Sequence, residues 1–256
     1  MPTSLISLAR NLQQRKGRSR RGLTLAEGVR LIEEAVSAGV GFRGVLIDPT
    51  LTRTTRGGAL LAQLAAHAIP IEEVPAKTLV GLAATDTPQG VVAIVEHPRS
   101  QLETIDPEPR HPVLVLDSLQ DPGNVGTLLR TAFALGCPGA ILLKGTADPA
   151  NPKALRASCG ASFRLPIAAA TDDELALWLE RGDIVLWATD AAGTPMRRLQ
   201  PPARLAVVVG NEGSGVRATV MALARNRVAI PLARGAESLN VAVAAGIILH
   251  EVQRDS

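Results

Sequence analysis

The sequence predicts an α/β protein in two parts: a small α/β unit over residues 1–97 and a larger parallel-sheet domain over 112–256, joined by a linker at 98–111. Three observations carry this prediction. From Val113 onwards, continuous apolar strand candidates alternate with helix candidates, the pattern of strands buried on both faces. A shorter β-α-β-α-β-α-β run precedes position 97. Between the two, Pro98, Pro107, Pro109 and Pro112 stand among charged residues without apolar periodicity, the composition of a connecting segment.

In the first part, Leu5, Leu8 and Leu12 recur at helical spacing over residues 5–14, followed by a basic turn to Arg21. Residues 24–28 read as a strand. Leu31, Ile32, Ala35 and Val36 mark an amphipathic helix over 29–38, closed by Gly39. A strand over 44–47 ends at Asp48-Pro49; a helix over 57–68, a strand over 71–74, a short helix over 77–83 and a strand over 90–95 follow. In the second part, strands are expected at 113–116, 140–143, 184–189, 205–209 and 228–230. Helices are expected after Asn124, over 172–180, from Val216, and from near Ser238 to Glu251, which Ser238 or Asn240 can cap, with a further segment around 151–159.

Composition narrows the function. Hydrophobic residues at 46% and charged residues at 20% are near globular averages, which excludes wholesale disorder. Three Phe, two Trp and no Tyr leave little material for binding RNA by stacking many bases. The net charge of +3 lies entirely in residues 1–98, with 11 Lys/Arg against 8 Asp/Glu; residues 99–256 hold 16 of each. Within that excess, Arg10, Arg15, Lys16, Arg18, Arg20 and Arg21 precede the first acidic residue, Glu27, and such a tract attracts phosphate through counterion release. An Arg-rich, acid-free start is also the composition of a mitochondrial transit peptide.

Cys137 and Cys159 form no C-x-x-C and the four histidines are scattered, so neither a metal site nor a disulfide is expected, and two buried thiols in a reducing cytoplasm is the default. No long apolar run free of charges and breakers is present, so no membrane span is expected.

Two late segments carry the candidate chemistry, LAVVVGNEGSGV at 205–216 and IPLARGAESLNVAV at 230–243. The first runs from a β-branched strand into Gly210, Gly213 and Gly215, where backbone N–H groups can approach a ligand unobstructed by Cβ. Its order is G-x-x-G-x-G, not the G-x-G-x-x-G of dinucleotide folds, which disfavours an oxidoreductase. No G-x-x-x-x-G-K-[ST] is present, which disfavours an NTPase. Glycine loops and a helix N-terminus after strands describe a cofactor crevice at the carboxyl edge of a parallel sheet.

Together with LDSLQDPGNVGTLLRTA at 116–132, these segments resemble the SpoU (TrmH-type) family of RNA ribose 2′-O-methyltransferases, in the SPOUT superfamily. Three motifs match in order and approximate spacing: D-P-G-N-x-G-x-x-x-R-T-A, G-N-E-G-x-G, and I-P followed by S-L-N-V-A-V-A. The opening L-x-E-G-x-x-L-I-x-E-A and TPQG at 87–90 resemble, more loosely, the substrate-binding domain that precedes the catalytic domain in part of that family.

The resemblance implies a C-terminal domain tied in a deep trefoil knot, a homodimer, S-adenosylmethionine as cofactor and structured RNA as substrate, ribosomal RNA ahead of transfer RNA, with a catalytically inactive RNA-binding relative as a remote alternative. It implies catalytic roles for Asn124, Arg130, Glu212, Ser238 and Asn240. Gly210, Ile230 and Leu239 are implied as cofactor contacts, and Thr189 as a further lining residue. Asn151, Lys153, Arg156 and Ser158 match a family segment that can contact substrate phosphate. Enzymes of this type have been proposed to use the arginine matching Arg130 as the base. A guanidinium with a pKa above about 12 is better suited to hold a phosphate or a developing alkoxide.

Overall fold

Two sheets organise the chain, which the computed structural model describes over residues 4–85, 88–235 and 238–254. Thr87 of the TPQG motif therefore lies outside the described residues. The chain divides into two compact units, residues 1–98 with 148–164, and residues 99–147 with 165–256.

In the first unit, helices α1 (Leu5–Leu12) and α2 (Arg15–Arg21) precede β1 (Leu23–Glu27), α3 (Val29–Ser37), β2 (Phe42–Ile47), α4 (Thr55–Ala66), β3 (Ile71–Glu73), α5 (Ala76–Val80) and β4 (Val91–Glu96). The sheet order is β1-β4-β2-β3, with β4 antiparallel to both neighbours and β2 parallel to β3. Alternate strand residues feed two cores, as the period of a strand requires. Val45, Ile47, Val91, Ala93 and Val95 meet α3 and α4, whereas Leu25, Leu46, Val92 and Ile94 meet Leu8, Ala9 and Leu12 of α1. The E-G and P-Q-G motifs meet here: Gln89 Oε1 accepts from the Val29 N–H at 3.0 Å, satisfying a free donor at the start of α3, and Gly28 at φ +93° leaves it room.

One expectation is corrected in this unit. The basic tract is not an arm or a turn but part of two folded helices, and Arg18 within it is only 3% exposed. Its Nη1 donates to the Leu12 and Gln13 carbonyls at 2.9 and 2.8 Å, and its Nε donates to Asp148 at 2.8 Å. It staples α1 to α2, while Arg10, Arg15, Lys16, Arg20 and Arg21 remain exposed.

Residues 148–164, which the sequence reading includes in the C-terminal stretch, are gathered by their contacts with the first unit. Their helix α7 (Pro152–Ser158) places Leu155 in the α3/α4 core, joined there by Phe163. Thr24 Oγ1 donates to the Ala150 carbonyl at 2.6 Å, and Arg164 pairs with Glu34 at 2.6 Å.

The second unit holds β5 (Val113–Leu116), α6 (Pro122–Ala134), β6 (Ala140–Leu142), β7 (Ile167–Ala169), α8 (Asp172–Arg181), β8 (Val185–Pro195), β9 (Leu205–Val209), α9 (Ala218–Met221), β10 (Asn226–Ala229) and α10 (Val241–Gln253). Six parallel strands run in the order β10-β8-β9-β5-β6-β7. Leu114, Leu116, Val207 and Val209 face α6 and α10; Val113, Val115, Ala206 and Val208 face α8 and α9. This double burial is why the strands read as unbroken apolar runs. The short strand β7 had no counterpart among the predicted elements, the helix predicted from Val216 is only four residues long, and a three-residue 3₁₀ turn interrupts the linker at Leu102–Thr104. Among the described residues no helix is long and apolar enough to cross a membrane.

Replacing Arg18 by Ala strands Asp148 and two carbonyls in a buried site. We expect a loss of about 3–5 kcal/mol in the stability of the first unit, read from the denaturant midpoint, as for other broken buried pairs. A midpoint equal to the parent's would show that the staple carries no stability.

Candidate functional site

The candidate site is assembled at the carboxyl ends of β5, β9 and β10, where parallel α/β sheets place their ligands. After β5, the chain turns through Asp117 and Ser118, the latter in the left-handed region at φ 58°. It enters α6 through Asp121, whose side chain accepts from the Asn124 N–H at 3.2 Å. After β9 comes the G-N-E-G-S-G loop, closed by paired backbone bonds between Asn211 and Gly215 at 3.0 and 2.9 Å. Asn211 Oδ1 accepts from the Gly213 and Ser214 N–H groups, and its Nδ2 donates to the Ser118 carbonyl at 3.2 Å, joining the two loops. After β10, a third loop leads to Asn240, whose Oδ1 accepts from the Ala242 and Val243 N–H groups at 2.9 and 3.4 Å. Asn240, not Ser238, thus caps α10; its short acceptor reaches the two free donors of the first turn.

Three expected catalytic residues form one hydrogen-bonded chain. Asn240 Nδ2 donates to Asn124 Oδ1 at 3.1 Å, and Asn124 Nδ2 donates to Glu212 Oε1 at 2.7 Å. The order is set by chemistry: an ionised carboxylate only accepts, and the capped helix end only donates, so each amide has one orientation that satisfies both neighbours. The positive end of α10 and the two aligned amides all direct donor character toward Glu212. Ser238 is exposed on the third loop, and Arg130 is exposed on α6, two turns beyond its start.

Beside this chain lies a cleft of about 720 Å³, within the range that holds small ligands. Thr189, Gly210, Ile230 and Leu239 all line it, together with Glu212 and Ser238. Gly210 also carries a packing constraint: a Cβ there would fall 2.1 Å from the Gly215 carbonyl carbon and 2.2 Å from the Val216 nitrogen, so this glycine lets the loop fold on itself.

The loop is held from behind by a clasp that sequence reasoning missed. Asp117 is fully buried at the end of β5. Arg217, just past the glycine loop, donates to it from its backbone N–H at 2.7 Å and from Nε at 2.6 Å, while Nη1 and Nη2 grip Asp172 at 3.0 and 2.7 Å. Hydrogen bonds from Arg217 hold the Asp172 carboxyl below its usual value, and those bonds raise the guanidinium in turn. An aspartate ending an apolar strand, followed by an arginine beyond the next strand's loop, was the available signal.

The remaining expected phosphate contacts divide. Ser158 is buried and bonded to the Leu155 carbonyl and to Ser162, so it cannot meet RNA. Asn151 caps α7 by accepting from the Lys153 N–H at 2.9 Å, and half-buried Arg156 pairs with Glu27 at 3.3 Å. Lys153 is exposed. Burial pushes the Cys137 thiol up to about 12, and Cys159, expected to be buried as well, is half-buried at the end of α7. Among the described residues no group of three His, Cys, Asp or Glu side chains is placed to hold a metal ion.

The folded-state pKa of Asp172 is depressed, so its contribution to stability is present above the usual carboxylate value of 3.8 and is lost as pH falls below it. Arg217→Ala removes that contribution and leaves Asp117 buried without its guanidinium. The variant is expected to lose about 3 kcal/mol at neutral pH, the low end for a broken buried pair because Arg217 is partly exposed, and to show a shallower acid limb. Urea midpoints between pH 3 and 7 measure both; parallel curves for parent and variant would remove the clasp from the acid response.

Comparison with known proteins gives two contiguous matches, with residues 148–164 inside the C-terminal one. The family model described as SpoU rRNA Methylase matches residues 111–250, and one described as the MRM3-like substrate binding domain matches residues 4–93. A Synechocystis sp. protein described as an uncharacterized tRNA/rRNA methyltransferase is 35% identical over 98% of this chain and 90% of its own length. The 23S rRNA (guanosine(2553)-2′-O)-methyltransferase RlmP of Bacillus subtilis is 31% identical over 95% of this chain and 94% of its own. The crystal structure of an AdoMet-bound rRNA methyltransferase from Sinorhizobium meliloti superposes with a TM-score of 0.85 at 32% identity, covering 98% of this chain and 96% of that one.

Proposed function

We propose, from the premise that this chain belongs to the SpoU rRNA Methylase family, that it methylates a ribose 2′-hydroxyl in ribosomal RNA with S-adenosylmethionine as donor. The observation that carries this reading is the Asn240–Asn124–Glu212 chain at the edge of a cleft large enough for the cofactor. The relative named for guanosine 2′-O-methylation of 23S rRNA, similar along nearly its whole length, favours the ribose and ribosomal RNA over transfer RNA.

The cleft fits the cofactor in kind: apolar walls from Ile230 and Leu239 suit an adenosine, and the polar side chains of Glu212, Thr189 and Ser238 suit hydroxyl and ammonium groups. Bound there, S-adenosylmethionine supplies an electrophilic methyl group; alignment and proton handling fall to the protein. One oxygen of Glu212 is engaged by Asn124, so the carboxylate is held in place with acceptor capacity to spare. Asn124 and Asn240 thereby tie the three loops into one frame. Arg130 offers a planar fork of donors to the acceptor nucleotide, holding a phosphate or stabilising the oxygen as its proton leaves.

Within the same reading, the second unit carries the family's trefoil knot, the exposed basic residues of α1 and α2 with Lys153 contact RNA phosphate, and the protein works in the cytoplasm. It works there as a homodimer. Val243 and Ile247, one turn apart on α10, are 51% and 39% exposed, and Phe133 on α6 is 43% exposed, an apolar surface at home in a symmetric interface. Val243→Asp is expected to shift sedimentation at micromolar concentration from dimer to monomer; a parent that already sediments as a monomer contradicts the dimer.

Calorimetric titration should show binding of S-adenosylmethionine and none of NAD, and nucleoside analysis of rRNA after incubation should show a new 2′-O-methyl nucleoside. Arg130→Ala is expected to reduce turnover at least a hundredfold with cofactor affinity within twofold of the parent, and Arg130→Lys to be nearly as damaging, because a point charge does not reproduce the fork. Methylation confined to a base, or to transfer RNA, would overturn the corresponding part of the reading.

A further inference from the structure

The register between β8 and β10 is broken in one place. Arg227 pairs with Ala188, but the next residue, Val228, pairs with Thr194, so residues 189–193 leave the ladder as an excursion on β8. Asp190 Oδ1 steadies it by accepting from the Ala192 N–H at 2.9 Å. Gly193 presses it against β10: a Cβ there would lie 2.7 Å from the Arg227 carbonyl. The excursion is a thin wall with a concavity on either side. Gly193 and Pro195 line the 720 Å³ cleft, and the same two residues line a second groove of about 510 Å³.

That second groove is cationic. Arg198, Arg225 and Arg227 line it, with Arg197 next in sequence on the same short helix, and all four are exposed. Their concentration is not a property of the unit at large, whose residues 99–147 and 165–256 hold 13 Lys/Arg against 15 Asp/Glu. Asp190 lies 3.5 Å from Arg227 Nη1, beyond a normal N–H···O bond, and Arg227 stays 63% exposed. Guanidinium forks bordering one shallow, open depression match oxyanions of phosphate geometry, several of them matching successive phosphodiesters.

We propose that this groove is a phosphodiester-binding subsite, in which Arg198, Arg225 and Arg227 hold the backbone of the RNA substrate on the far side of the 189–193 wall from the cofactor cleft. The proposal rests on the reading of the protein as an RNA methyltransferase. It adds a contact within the catalytic unit, separate from the basic helices of the first unit. The competing use of these charges is to guard β10, the edge strand of the sheet, against pairing with other chains. Such a guard has no effect on RNA affinity.

The test uses the full chain with Arg198→Gln, Arg225→Gln and Arg227→Gln combined, and Arg181→Gln, an exposed arginine at the end of α8, as the control for loss of charge. RNA affinity is read by fluorescence anisotropy on a ribosomal-RNA fragment that the parent methylates, across a salt series. Cofactor affinity is read by calorimetry. The triple variant is expected to bind RNA at least tenfold more weakly, with a log–log salt slope flatter by roughly 2 to 3, about one unit for each phosphate no longer neutralised. Its cofactor affinity should stay within twofold, and the control should match the parent. A triple variant with the parent's RNA affinity and salt slope overturns the subsite while leaving the methyltransferase reading intact. Cofactor affinity that falls in parallel with RNA affinity also overturns it, since the arginines would then be supporting the wall. A parent that neither binds nor methylates any RNA overturns both.

Discussion

Asp117 sets the terms for the catalytic unit. A carboxylate removed from water at the end of a central strand is tolerable only if donors surround it, and the chain answers with two bonds from a single residue, Arg217. Because Arg217 follows the glycine loop, satisfying the buried charge fixes the far end of that loop against β5. Because its other two nitrogens hold Asp172 at the start of α8, the same guanidinium also ties α8 to α9. The near end is fixed by contact of backbone on backbone at Gly210. Between two such anchors, Glu212 has little freedom, which suits the role proposed for it beside the cleft.

Much of this was legible in the residues. Continuous apolar strands separated by helices announced a sheet covered on both faces, and the two cores of the second unit show why: neighbouring residues of β5 and β9 are each claimed by a different layer of helices. The polar residues that resembled a family's site converge, with Asn124, Glu212 and Asn240 in one hydrogen-bonded chain and Thr189, Gly210, Ile230 and Leu239 around one cleft. Sequence spacing could not reveal what each contact is for. Gly210 read as a ligand-facing position and lines the cleft, but the sequence did not show that its missing side chain also makes room for Gly215. Ser238 and Asn240 are equally good caps by residue type, and only the reach of the Asn240 side chain to the Ala242 and Val243 N–H groups selects one.

Charge was the least legible property. Arg18 sits in a run of cations and carries the same formal charge as its neighbours, but the helical turn points it inward, where two carbonyls and Asp148 use all its reach. A tract that reads as one electrostatic feature is therefore two things, a surface and a staple. The arginines of the groove beside β10 show the reverse, being scattered in sequence from Arg198 to Arg227 and brought together only by the parallel register of β8 and β10.

The first unit is not contiguous, and this bears on how the molecule is made. Leu155 and Phe163 fill the core between α3 and α4, and Asp148 neutralises the buried Arg18. A nascent chain released only as far as Pro98 lacks all three. At a synthesis rate of roughly 5–20 residues per second, some seconds separate emergence of β4 from that of α7. During that interval the apolar faces of α3 and α4 are incompletely covered and a guanidinium lacks its carboxylate. The amino-terminal unit thus finishes folding only after β5, α6 and β6 of its neighbour have left the ribosome, so two modules that look sequential on paper are obliged to mature together.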